Sequence, residues 1–199
     1  MASQSDIKVP VLHHINLKTL RLQDMLDWYG TVVGLTVSHQ FPGGAWATND
    51  AANHRIAFLT HPDFTEDSQK IEHTGMHHVA FEYDSLDDLL ESWERLDGLG
   101  IEPHMSLDHG LTTSIYYVDP DGNSVELQSD NFGDWAKSSA YLKTSEAFAA
   151  NPIGTPIDPA AMLAARRSGV SVADVQARAY AGDYPPVKDM DPSLPFPVA

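Results

Sequence analysis

At 199 residues, 42% of them hydrophobic, the chain is long enough to bury one sizeable core or two small modules that share one. A formal charge of −16 argues against nucleic acid or an anionic membrane as partner, because phosphates demand a basic footprint. The absence of cysteine excludes a disulfide frame and any thiolate metal site, so a metal must be held by imidazole and carboxylate, and ten histidines are on offer.

Residues 1–10 are polar, lack the apolar run of a signal peptide or membrane span, and read as the lead-in of a cytoplasmic protein. Val11 to Lys18 is expected to be a strand. A helix follows, with Leu22, Met25, Leu26 and Tyr29 on one face, and Gly34 closes it. Leu35–His39, Ala45–Thr48 and Arg55–Thr60 complete a first module over residues 11–62. A polar linker, residues 63–75, leads to a second module at 76–130. There Met76–Tyr83 is a strand, Ser85 an N-cap, and Leu86, Leu89, Leu90, Trp93 and Leu96 an apolar helical stripe. Ile101–Leu107 is the next strand.

The stretch Ser114–Gln128 then reads as two strands around Asp119-Pro120-Asp121-Gly122-Asn123. In that turn Pro presets φ, Gly supplies positive φ, and the Asp and Asn side chains bond back to the backbone. Residues 131–199 change character: Trp135–Ala150, Pro159–Arg167 and Val172–Ala181 are expected helices, before a Pro-rich end from Pro185 to Pro197. This extension is expected to pack on the sheets or on a neighbouring subunit.

The order β-α-β-β-β thus occurs twice, and His13-His14-Ile15-Asn16-Leu17 returns as His77-His78-Val79-Ala80-Phe81. Two such units imply an α+β fold, an incomplete barrel of two curved sheets around a cleft, with a helical extension. Strand alternation puts His14 and Asn16 on one face and His13 and Ile15 on the other; His78 and Ala80 likewise oppose His77 and Val79. We take His14 and His78 as the inward pair, since Ile15 and Val79 make better core neighbours. Glu126 lies between Val125 and Leu127, where a carboxylate must be paired, metal-bound or turned to solvent. Two imidazoles and one carboxylate form the facial set of non-haem Fe(II) oxygenases.

On His14-Ile15-Asn16-Leu17, His78-Val79-Ala80-Phe81 and D-P-D-G-N-S-V-E-L, residues 11–128 resemble the vicinal oxygen chelate superfamily. Within it they look like extradiol dioxygenases of the biphenyl-2,3-diol or catechol type. The resemblance implies His14, His78 and Glu126 as metal ligands, with Fe(II) as the metal; Mn(II) is hard enough for the same set. It implies His54, in Asn53-His54-Arg55-Ile56-Ala57-Phe58, as the acid–base residue. It also implies Tyr116, ten residues before Glu126, as a hydrogen-bond donor to substrate; His109, just before that strand, is expected to be a supporting donor. His39, His61, His73 and His104 are expected to be ordinary surface or loop histidines, and Phe41, Trp46, Phe58 and Tyr117 to line an aromatic pocket.

The superfamily also holds isomerases, thiol transferases acting on epoxide antibiotics, and metal-free drug-binding proteins. Isomerases of the glyoxalase kind use a second carboxylate from the last strand of the first module, and no Asp or Glu occurs from Ala51 to Pro62. The implied partners are a small aromatic diol and O2, and a homo-oligomer is expected.

Overall fold

The computed structural model describes residues 8–188. Most of the polar lead-in and the Pro-rich end from residue 189 onward lie outside the described residues. The chain forms two compact units, divided between Glu66 and Asp67.

In the first unit, β1 (Ile15–Lys18) and α1 (Leu22–Val32) are followed by β2 (Thr36–Phe41), β3 (Gly44–Thr48) and β4 (Ile56–Leu59). The sheet order is β1-β4-β3-β2, with β1 parallel to β4 and the other pairs antiparallel. The apolar stripe of α1 supplies the core: Met25, Leu26, Tyr29 and Val32 are buried, and Tyr29 meets Phe58 edge-on at 5.3 Å. Burying side chains of this size contributes roughly 1.5–3 kcal/mol each. Because strand side chains alternate, Phe58 belongs to the helix-covered face, while Asn16, Ala57 and Trp46, which are partners in register, share the other.

The second unit repeats the plan with β5 (His78–Tyr83), α2 (Leu86–Asp97), β6 (Met105–Asp108), β7 (Thr112–Val118) and β8 (Ser124–Asp130), in the order β5-β8-β7-β6. As in the first unit, the opening strand runs parallel to the closing one. Ser85 caps α2 by accepting from the Asp88 amide, and Leu86, Leu89, Leu90 and Leu96 are buried against the sheet. The Asp119–Asn123 turn is organised by one carboxylate: Asp119 Oδ1 accepts from the amides of Asp121 and Asn123 at 3.0 and 2.8 Å, and Oδ2 from Asn123 Nδ2 at 2.7 Å. Gly122 takes the positive φ of 76° that this turn needs.

Neither sheet closes on itself, so the architecture is α+β with two open sheets. Several strands begin later than the sequence suggests, by four residues at β1 (Ile15) and β6 (Met105) and by two at β5 (His78).

The extension belongs to the second unit. A short strand missed in the sequence, β9 (Thr155–Pro156), pairs antiparallel with the free edge of β6. It is reached through Gly154, at φ 95°, where a Cβ would stand 2.2 Å from the Asp108 carbonyl oxygen. Helices α5 (Pro159–Arg167) and α6 (Val172–Tyr180) follow. Arg166 forks onto Asp87 of α2 at 2.7 and 2.8 Å, and Arg167 onto Glu94 at 2.6 and 2.7 Å.

The single helix expected over Trp135–Ala150 is two, α3 (Trp135–Thr144) and α4 (Glu146–Ala150). Ser145 leaves the helical region at ψ 119° and caps the second through its Oγ. On α3, Tyr141 packs against Phe132 and Phe148, while Trp135 is 71% exposed and Leu142 48% among the described residues.

Candidate active site

Each unit carries a set of polar side chains on the sheet face away from its helix. In the second unit the register explains the grouping. Tyr116 pairs directly with Glu126 across β7 and β8; Ala80 pairs with Glu126 across β5 and β8, so His78, two residues earlier, shares the face. The result is a hydrogen-bonded row. His78 Nε2 lies 3.0 Å from Glu126 Oε2, the Tyr116 hydroxyl donates to Glu126 Oε1 at 2.9 Å, and His109 Nε2 lies 3.0 Å from the Tyr116 oxygen.

Glu126 is buried, with 5% of its surface exposed. Burial works to raise its carboxyl, but hydrogen bonds from His78, Ser114 and Tyr116 outweigh that and hold it below the usual carboxylate range. Burial, then the Glu126 charge, pushes the Tyr116 phenol far above its ordinary value, so it stays protonated as a donor. Burial lowers His109, which is also held by a backbone hydrogen bond with Ile153 of the extension.

The first unit brings His13, His14 and His54 together at the ends of β1 and β4; His13 and His14, expected on opposite faces, both precede the strand that starts at Ile15 and turn their Nδ1 atoms to 3.1 Å. One ring nitrogen from each lies within 4.8 Å of the others. His14 and His54 ring centroids are 4.3 Å apart, and Trp46 stacks on His54 at 5.6 Å with the planes 22° apart. His54 Nδ1 sits 2.7 Å from Asn53 Oδ1, which leaves Nε2 as the outward nitrogen. Burial, then the neighbouring His14 and His13, holds its pKa below the ordinary histidine value. The strand ends are tied by Arg55, which forks onto Asp50 and donates to the His13 carbonyl at 3.0 Å.

The residues expected to act thus fall into two sets, His14 with His54 and His78 with Glu126, Tyr116 and His109. Two expectations for other residues need correction. Phe58 and Tyr117 do not line a pocket: both lie on helix-side faces, Tyr117 beside Val125 on the face α2 covers. His39 is exposed, as expected, but its ring joins an aromatic row, and His104 is more than an ordinary loop group. His39 packs on Trp46 at 5.5 Å, extending the row Phe41–His39–Trp46–His54. His104 Nε2 lies 3.1 Å from Ser124 Oγ, with its ring against Tyr116. A signal existed for His39, which is spaced two from Phe41 on a strand; His104 sits on irregular chain, where parity is silent. His61 and His73 pair with Asp63 and Asp67 on exposed loops.

The register also compares the two units position by position. His14 and His78 each stand two residues before a strand residue, Asn16 or Ala80, whose partner is Ala57 or Glu126. Ala57 therefore occupies in the first unit the position that Glu126 holds in the second. The repeat supplies a carboxylate once and a methyl group the other time.

Doubled β-α-β-β-β units with a polar set on each open face define the class, and the family model agrees. Residues 11–127 match the Glyoxalase/Bleomycin resistance protein/Dioxygenase superfamily, and the chain belongs to it. It is 39% identical over 189 residues to biphenyl-2,3-diol 1,2-dioxygenase 2 of Rhodococcus globerulus, covering 95% of each chain. It is 37% identical over 172 residues to biphenyl-2,3-diol 1,2-dioxygenase 3 of the same organism, covering 86% of this chain and 90% of that one. The crystal structure of a lactoylglutathione lyase from Agrobacterium tumefaciens shares the fold, with a TM-score of 0.50 at 21% identity over 61% of this chain and 96% of its own.

Proposed function

We propose that the chain is an Fe(II)-dependent extradiol dioxygenase that opens the ring of a catechol-type diol with O2. The likeness to two biphenyl-2,3-diol dioxygenases over nearly the whole chain supports this class. The observation that favours it over an isomerase is Ala57, an apolar residue where a second carboxylate would stand if the units were alike.

His14, His78 and Glu126 are the proposed ligands. Their chemistry fits a ferrous ion: two imidazoles, and a buried carboxylate whose two oxygens are already oriented by His78 and Tyr116. When bound, the ion supplies Lewis acidity and a route for electrons between the diol and dioxygen. The protein's own residues do the rest. His54, neutral and exposed through Nε2, takes a hydroxyl proton from the diol and returns it later; its lowered pKa leaves it a competent base at neutral pH. Trp46 fixes the plane of that ring and offers, with Phe41, an aromatic wall for the substrate. Tyr116 keeps its proton and donates it in a hydrogen bond to Glu126, and His109 steadies Tyr116.

No helix among the described residues is long and apolar enough to cross a membrane. A cytoplasmic protein and a homo-oligomer, in which Trp135 and Leu142 of α3 meet a second copy, complete the reading.

Anaerobic loading with Fe(II), followed by 2,3-dihydroxybiphenyl and air, is expected to give a yellow ring-opened product with oxygen uptake. Both should be lost in Glu126→Ala. Bound iron with no product from a panel of catechols overturns the reaction class; full activity in Glu126→Ala overturns the ligand assignment.

A further inference from the structure

We propose that the first unit holds a zinc-type divalent cation on its own, through His13, His14 and His54. The three rings pack mutually, with centroids at 5.3, 5.3 and 4.3 Å, and each offers a nitrogen within 4.8 Å of the other two. Two nitrogens on a tetrahedral zinc at ~2.05 Å stand roughly 3.3 Å apart. His13 and His14 already present a nitrogen pair at 3.1 Å. Both side chains are exposed, so small rotamer changes can gather the third nitrogen, the metal replacing the contact between their Nδ1 atoms.

The third ligand is prepared. Asn53 accepts at His54 Nδ1, as metal-bound histidines are usually braced, and Trp46 holds the ring plane. The group offers imidazole nitrogens alone, and Asp50 is committed to the Arg55 guanidinium. Three imidazoles with an open fourth position suit Zn2+ and its borderline neighbours.

His13 belongs to this set and to no other. A cation here engages His14, a proposed iron ligand, and His54, the proposed base, so on the dioxygenase reading zinc and the active iron state exclude one another. Zinc added before iron then blocks activation.

The test separates the two sets without any turnover. The metal-free full chain, its Glu126→Gln variant, and His13→Ala and His54→Ala are titrated with Zn2+ alone against a chromogenic chelator. One equivalent is expected to bind the parent and Glu126→Gln alike, and to bind His13→Ala and His54→Ala at least about tenfold more weakly. Failure of the parent to bind zinc overturns the proposal. So does unchanged affinity in His13→Ala or His54→Ala, or a loss in Glu126→Gln as large as theirs. Far-UV circular dichroism of His13→Ala guards against misfolding, and a parallel Co2+ titration reads the site directly, since a tetrahedral three-nitrogen ion has an intense visible spectrum that this variant should lose. A negative diol assay bears on the dioxygenase reading and leaves the zinc result untouched.

Discussion

At the residue scale, the row His78–Glu126–Tyr116–His109 shows how a buried carboxylate is kept ionised and aimed. Removing the Tyr116 hydroxyl leaves Glu126 Oε1 without its 2.9 Å donor while the ring still fills its place. Tyr116→Phe is therefore expected to fold, and to weaken iron retention about 10–100-fold in chelator competition. Unchanged retention would show that Glu126 needs no such support. Asp108, on the opposite face of the same sheet, is the contrasting case. It accepts from the Gly110 amide, the Thr113 hydroxyl and the Asn131 amide, yet burial, the largest influence, pushes it up from 3.8 to about 6. A carboxyl raised on folding stabilises fully below its unfolded pKa and loses that contribution as pH rises through the folded value. The window is thus pH 3.8 to about 6. The stability advantage of the parent over Asp108→Asn should fall by about 3 kcal/mol from pH 3.5 to pH 7.5 in urea titrations. A difference independent of pH would mean that Asp108 titrates normally.

At the scale of elements, the repeat was legible because it is written twice: the histidine doublets, the helix stripes and the turn at Asp119–Asn123 each carry a local physical cause. The register between β7 and β8 was not legible in advance. Whether Tyr116 shares a face with Glu126 depends on how the turn closes, and that is settled by Val118 pairing with Ser124. Likewise β9 is two residues long and has no pattern of its own; it exists because β6 has a free edge. The single helix expected over Trp135–Ala150 is two, because Ser145 leaves the helical region and caps the second, a break that an apolar pattern does not announce. The extension itself is held by its apolar side more than by its charges. Met162 of α5 is fully buried, whereas Arg167 is largely exposed in its pair with Glu94. Met162→Ala should cost about 2–5 kcal/mol in chemical denaturation, and Arg167→Ala less than about 1 kcal/mol. Equal losses would mean that the ion pairs anchor α5.

At the scale of the whole molecule, the proposed ligands are His14, His78 and Glu126, and the consequence of the proposal is a stability linked to metal. Iron that binds this set binds the folded chain and not the unfolded one, so it must raise the unfolding temperature by mass action. At a free Fe(II) concentration of a hundred times Kd the gain is about 2.7 kcal/mol, which for a chain of this length corresponds to a rise of roughly 5–10 °C. The charge of −16 favours the cation's approach, and added salt should slow loading by screening it. Anaerobic calorimetry with and without a chelator measures the rise, and Glu126→Ala supplies the control. A rise of the same size in Glu126→Ala would put the stabilising metal elsewhere, and the three histidines of the first unit would be the place to look.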